Sequence, residues 1–221
     1  MITLYCAANL PPFLKREWVR DLRGLWAAEE CGVAYQIHWL DSAKGEQREA
    51  AYKAINPFGT IPAMTDGDFK LFESAAMAAY ICDKAGKHIP APRTKERALY
   101  DQWCYAALNT VEPPVFQLMI ASALNKDAAW AKERAPQLRE NALGRLSALD
   151  RVLQERPYLL GREFSGADIL MGQVLNFVVD DSLIDAVPNV KAYNAGLKAR
   201  PAYVRALAVK PGGKNAAAGA Q

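Results

Sequence analysis

Apolar and polar positions along the chain change rhythm once, near residue 85. Before that point, short alternating runs interleave with helical spacing. Ile2-Thr3-Leu4-Tyr5-Cys6 reads as a strand, followed by an irregular loop over 7–13 that carries Pro11-Pro12. From Trp18 to Cys31 the apolar residues Val19, Leu22, Leu25, Trp26 and Ala28 recur three or four apart, a helical period that Gly32 closes. Residues 35–40 alternate as a second strand. A polar helical stretch over 46–55 ends in Asn56-Pro57-Phe58-Gly59. Two short strands, 61–64 and 69–72, flank the turn Thr65-Asp66-Gly67-Asp68, and Glu73 opens a helix that runs to Ala85. The order is βαβαββα. Its βαβ start predicts two parallel strands joined by a right-handed crossover, and the Asp-Gly hairpin predicts an antiparallel edge.

Beyond residue 85 no stretch alternates like a strand. Helical spacing covers 94–122, 128–154, 166–179, 189–198 and 201–208, with Leu138, Ala142, Leu146, Leu149 and Leu153 on one apolar stripe. The run Glu112-Pro113-Pro114 predicts a kink or break, because proline removes a backbone donor. The expected organisation is therefore an α/β domain over 1–85, a linker over 86–93 with Pro90 and Pro92, an all-α domain over 94–209, and a flexible Gly/Ala-rich tail over 210–221.

Composition narrows the functional classes. Lys and Arg number 27 against 24 Asp and Glu, a net +3 that is interleaved along the chain and gives no basic stripe for nucleic acid. No apolar run approaches the roughly 20 residues that span a bilayer, so no membrane partner is expected. The first residues show no basic stretch ahead of a long apolar one, so a secretory signal is not expected. Cys6, Cys31, Cys82 and Cys104 form no close pair, and with His38 and His88 the only histidines, no metal site is expected. A reducing cytoplasm fits free cysteines in a chain of this size.

The segment Asn56-Pro57-Phe58-Gly59-Thr60-Ile61-Pro62-Ala63-Met64, followed by Leu71-Phe72-Glu73-Ser74-Ala75-Ala76-Met77, resembles paired motifs of the glutathione transferase superfamily, in its bacterial-type cytosolic form. Residues 25–33, Leu-Trp-Ala-Ala-Glu-Glu-Cys-Gly-Val, resemble the end of that family's first helix, and the likeness covers nearly the whole chain. It implies a thioredoxin-like N-terminal domain plus an all-α C-terminal bundle, glutathione as cosubstrate, and a homodimer.

Residue by residue, the resemblance implies a cis peptide before Pro62. Thr60 and Ile61 lie beside it, and the Ile61 backbone meets the cysteinyl part of glutathione. Glu73 meets the ammonium and Ser74 the carboxylate of its γ-glutamyl end, and Gln47 meets the glycyl carboxylate. The physics of these positions agrees, since free N–H groups and the dipole at a helix start favour an anion. The same Glu-Ser pair also serves as an ordinary helix cap, and the two roles are compatible. Phe164-Ser165-Gly166-Ala167-Asp168 reads as a capping box with a structural role.

The family places a Tyr, Ser or Cys at the first strand–helix junction to stabilise the glutathione thiolate. Counting back from Gly32, that junction is Trp18-Val19-Arg20-Asp21, which carries neither hydroxyl nor thiol. Trp18, Val19 and Arg20 are the candidates by position. Arg20 with the helix N–H groups can act electrostatically, Tyr5 or Cys6 can act from the strand end, or the protein binds glutathione without strong transfer. A hydrophobic electrophile is expected between the domains, against Trp103, Ala107, Asn109 and Val111. Conjugation of glutathione to small apolar electrophiles leads this reading. Glutathione-dependent thiol or peroxide reduction through Cys6 is the enzymatic alternative, and a non-catalytic glutathione- or ligand-binding stress protein the other.

Overall fold

The computed structural model describes residues 1–212; the remainder of the expected tail lies outside the described residues. The chain divides into two compact units, one of Met1–His88 together with the segment from Arg200 onward, the other Ile89–Ala199.

The first unit is built on four strands, β1 (Ile2–Ala7), β2 (Tyr35–Leu40), β3 (Ala63–Asp66) and β4 (Phe69–Phe72). Their order is β2-β1-β3-β4, with β1 parallel to β2 and antiparallel to β3, and β3 antiparallel to β4. This is the thioredoxin-like mixed sheet expected from the crossover and the hairpin. Helix α1 (Leu22–Cys31) is buried along nearly its whole length. It ends at Gly32, whose φ of 69° is the left-handed conformation that glycine adopts without a Cβ penalty. Helix α3 (Ser74–Ala85) packs against α1.

Three expectations change. The first helix begins at Leu22, not Trp18, because Arg16–Trp18 closes a separate 3-10 turn and Val19 then turns extended, at φ −88° and ψ 130°. The stretch 46–55 is a 3-10 turn over Glu46–Arg48 and a four-residue helix, α2 (Ala50–Lys53). Strand β3 starts after Pro62, whose peptide with Ile61 is cis as the resemblance implied.

The second unit is helical: α4 (Lys95–Tyr105), α5 (Glu112–Met119), α6 (Ala129–Leu153), α7 (Gly166–Leu175), α8 (Asp181–Asp185) and α9 (Pro188–Lys198). Between α4 and α5 the backbone widens into a π turn over Ala106–Val111. Pro113 and Pro114 explain the break: they lack the N–H groups that would reach back to the carbonyls of residues 109 and 110. The stripe Leu138, Ala142, Leu146, Leu149 and Leu153 is buried along α6. Helix α7 stops earlier than expected because Asp180 caps a new helix, accepting from the N–H groups of Ser182 and Leu183.

The last helix, α10 (Pro201–Ala208), falls in the first unit, whereas the sequence boundary grouped it with the helical domain. Tyr203 meets the Trp26 ring edge-on at 4.8 Å. Arg200 pairs bidentately with Glu30 at 2.5 and 2.8 Å, and Arg205 Nε donates to Glu29 at 2.7 Å. Burial acts to raise the Glu30 carboxyl, but hydrogen bonds from Arg200 and Trp26 outweigh it and hold the group below its ordinary value. With the folded pKa below the unfolded one, this contribution is complete above the unfolded value, about 4.3, and is lost as pH falls through the lower folded value. Arg200→Met is therefore expected to cost about 2 kcal/mol in urea unfolding at pH 7, less than a fully buried pair because Arg200 is partly exposed. That difference should shrink as the pH is taken below about 4.

Candidate functional site

The segment from residue 56 to Pro62 is organised by one buried amide. Asn56, 2% exposed, donates from Nδ2 to the Thr60 carbonyl at 2.6 Å and accepts the Phe58 N–H on Oδ1 at 3.1 Å. The Tyr52 hydroxyl donates to the same Thr60 carbonyl at 2.8 Å. Gly59 is held at φ 61°, and a Cβ there would stand 2.9 Å from the Gln47 carbonyl oxygen, so only glycine lets this turn approach the Gln47 backbone. The Gln47 backbone thereby lies against Gly59, one residue before Thr60. Its Oε1 is buried without a hydrogen-bond partner.

Sheet register brings in the second half of the site. Ala63, which follows Pro62, pairs with Phe72, which precedes Glu73, and with Tyr5, which precedes Cys6. Glu73 caps α3 at φ 71° and ψ 111°, a conformation that costs a non-glycine residue roughly 1–3 kcal/mol. Such strain persists where the surroundings enforce it, and here it delivers Ser74 as the first residue of α3. Ser74 is 5% exposed, and its Oγ accepts a hydrogen bond from Arg23 Nη1 at 3.1 Å. Arg23, 2% exposed on α1, thus ties the two helices together where the first-turn N–H groups of α3 are free of intrahelical bonds. Thr60, Ile61 and Pro62 lead into β3, Glu73 and Ser74 follow its partner β4, and the Gln47 backbone stands against Gly59. Sequence reasoning missed Asn56, Tyr52 and Arg23, although Asn56 stands inside the motif itself.

The junction between β1 and α1 is occupied differently than position alone suggested. Asp21, 1% exposed, accepts the Ala7 N–H at 3.0 Å and pairs with Arg16 Nη1 at 2.5 Å. Arg16 was not a candidate, because it precedes the helical pattern. Trp18 is buried and its indole Nε1 has no hydrogen-bond partner. The Val19 N–H is spent on the Arg16 carbonyl at 3.1 Å, so Val19 keeps no donor for a ligand. Arg20 is half-buried in the turn before α1.

Tyr5 packs between the rings of His38 and Tyr52, at 5.0 and 5.7 Å. Cys6 is 1% exposed, and burial, then the negative charge of Asp21, pushes its thiol well above the ordinary value. Reduction through Cys6 requires an accessible thiol of lowered pKa, and this side chain is neither.

In the helical unit the four pocket candidates differ in exposure and in neighbours. Ala107 and Val111 are 0% and 5% exposed, packed into the core with little surface left for a ligand. Trp103 carries the Arg156 guanidinium 5.3 Å above its ring. Asn109 lines a cavity of about 660 Å³ with Gln117, Asn141 and Arg145, more polar than an apolar pocket. Ser165 and Asp168 form the expected capping box at the start of α7. Among the described residues no cluster of three or more His, Cys, Asp and Glu side chains forms a metal site, and no helix is long and apolar enough to cross a membrane.

Comparison with known proteins agrees with this architecture. Residues 15–84 match the family model for the glutathione S-transferase N-terminal domain, and residues 115–205 that for the C-terminal domain. Glutathione S-transferase F9 of Arabidopsis thaliana is 31% identical over 84% of this chain and 91% of its own. A probable glutathione S-transferase of rice (Oryza sativa subsp. japonica), GSTF2, is 34% identical over 78% of this chain and 84% of its own. A glutathione transferase of Burkholderia graminis, solved with two glutathione molecules bound per subunit, superposes with a TM-score of 0.80 at 27% identity over 96% of this chain and 89% of that one. The chain belongs to the glutathione S-transferase family.

Proposed function

We propose that this protein is a cytoplasmic, homodimeric glutathione transferase that conjugates the glutathione thiolate to small hydrophobic electrophiles. The observation that carries the reading is the strained Glu73 that presents Ser74 at the start of α3, just past the strand that pairs with the one after cis-Pro62, and braced by Arg23. In this reading Ser74 and the α3 N-terminus hold the γ-glutamyl carboxylate and Glu73 its ammonium. The Ile61 backbone aligns the cysteinyl unit, beside Thr60 and Pro62, and Gln47 meets the glycyl carboxylate. A free thiol, with a pKa of about 8.5, is mostly protonated at neutral pH, so the site must favour the anion. The Trp18 indole N–H and Arg20 are assigned to the sulfur, Val19 having spent its own donor. The thiol proton leaves to solvent, the sulfur lone pair forms a bond to the electrophilic carbon, and any leaving group departs with its electron pair. The electrophile is assigned to the helical unit around Trp103, with Asn109 as a polar edge.

Calorimetric titration of glutathione, paired with the thiolate ultraviolet absorbance as a function of pH, tests the reading. Binding with a bound-thiol pKa below that of free glutathione supports it. Binding with an unshifted pKa overturns it in favour of a non-catalytic glutathione-binding protein. Cys6→Ser is expected to leave conjugation of a chromogenic aryl halide within about twofold of the parent, because a buried, protonated thiol takes no part; collapse of the rate would restore the reductase. Light scattering reads the dimer.

A further inference from the structure

Helices α1 and α3 meet in one register at both ends of their contact. Arg23 touches Ser74, and two turns further along each helix Cys31 touches Cys82, with the same separation of 51 residues along the chain. The Cys31 and Cys82 sulfurs stand 3.8 Å apart and share a hydrogen bond, and the residues are 3% and 0% exposed. Lys87 ties their backbones together. Its N–H donates to the Cys82 carbonyl and its ammonium to the Cys31 carbonyl, both at 3.1 Å. A sulfur–sulfur bond is about 2.05 Å long, so the pair has to close by under ~2 Å, a movement that side-chain rotation supplies.

Both sulfurs lie near helix ends. Cys31 is the last residue of α1, and Cys82 stands one turn before the Gly86 cap of α3. Gly32 and Gly86 are exposed, and a Cβ on either would meet nothing within 4 Å. Helix ends open at low free energy, so a small oxidant reaches this pair by fraying of one turn, without unfolding the unit. The hydrogen bond with Cys82 holds the Cys31 thiol below its ordinary value against the opposing effect of burial, and Lys87 adds to the lowering. Burial pushes the Cys6 and Cys104 thiols up instead. The thiolate is the reactive form, which favours Cys31 as the attacking sulfur.

We infer that Cys31 and Cys82 are a peroxide-sensitive pair that closes to a disulfide and locks α1 to α3. The Cys31 thiolate attacks one oxygen of hydrogen peroxide, the O–O bond breaks, and the departing hydroxide takes up the thiol's proton as water. Cys31 is then a sulfenic acid. The Cys82 sulfur attacks the Cys31 sulfur, the S–O bond breaks, and the second hydroxide leaves as water with the Cys82 proton. Two thiols lose two electrons, and one peroxide becomes two waters. In a reducing compartment such a bond is transient, present while peroxide is high and reopened by thiols. The inference does not depend on the transferase reading.

The full chain is treated with hydrogen peroxide under native conditions, alkylated in denaturant, and digested with trypsin. The expected product is a cross-link between the peptides 24–44 and 71–84, lighter by two hydrogens than their sum and released by dithiothreitol. On a non-reducing gel the oxidised chain should keep its monomer mass. Its thermal midpoint should rise by about 5–10 °C, because a cross-link across this long a loop constrains the unfolded chain. Cys31→Ala and Cys82→Ala should each lose both the cross-link and the rise. Peptide mapping of the parent chain decides the matter even if either variant is too unstable to purify. Sulfinic acid at Cys31 in place of the cross-link overturns the inference, as do unoxidised thiols at both positions. A cross-link through Cys6 or Cys104, one between two chains, or a lowered midpoint also overturns it.

Discussion

Ser74→Ala is expected to raise the dissociation constant of glutathione roughly 10- to 100-fold, the cost of removing a hydrogen bond to a charged group. The argument rests on where the hydroxyl stands. Ser74 is the first residue of α3, its Oγ already accepts from Arg23 at 3.1 Å, and its own proton is thereby left to donate to a bound carboxylate. The helix N-terminus alone would retain part of the affinity, so the loss should be large without being complete. Steady-state kinetics should show the effect in KM, with kcat nearly unchanged, because in the proposed site Ser74 meets the substrate equally before and during reaction. Circular dichroism checks that the fold persists. An unchanged affinity would remove Ser74 from the site, and with it the reading built on the strained Glu73.

The largest effect on stability is expected at Asp168. This carboxylate is 0% exposed and accepts the N–H of Leu159, the N–H and hydroxyl of Ser165, and the hydroxyl of Tyr193, at 2.7–2.9 Å. It holds together the loop before α7, the start of α7 itself, and α9. Burial raises its carboxyl above the ordinary value although every one of these bonds works to lower it. Asp168→Ala strips the partner from several buried donors at once and is expected to cost about 4 kcal/mol in urea unfolding. Asp168→Asn should recover only part, about 2 kcal/mol, because its amide would aim N–H groups at donors that need an acceptor. A cost below about 1 kcal/mol for the alanine variant would mean that water replaces the carboxylate and that the network is not structural.

Asp168 also marks how far local pattern reaches. The capping box with Ser165 was legible because its two members are three residues apart and a helix start imposes that spacing. The reach to Tyr193 was not, since nothing in the sequence marks which hydroxyl folds back onto the box. The proposed glutathione site divides the same way. Pro62, Glu73 and Ser74 stood out as a motif, whereas Arg23, which braces Ser74, looked like any charged residue in a helix.

The order of strands and helices in the first unit, the hairpin through Asp66-Gly67, the buried stripe of α6 and the break imposed by Pro113-Pro114 were all legible in local pattern. Each is a consequence of side-chain periodicity or of backbone chemistry within a few residues. Tertiary structure decided the rest. It placed α10 against α1 through Glu29 and Glu30, whose partners lie 176 and 170 residues away along the chain. It moved the start of α1 to Leu22, where the buried Asp21 collects Ala7 and Arg16 at the junction. Those choices depend on which buried charge finds which partner across the fold, and periodicity along a chain carries no record of that pairing.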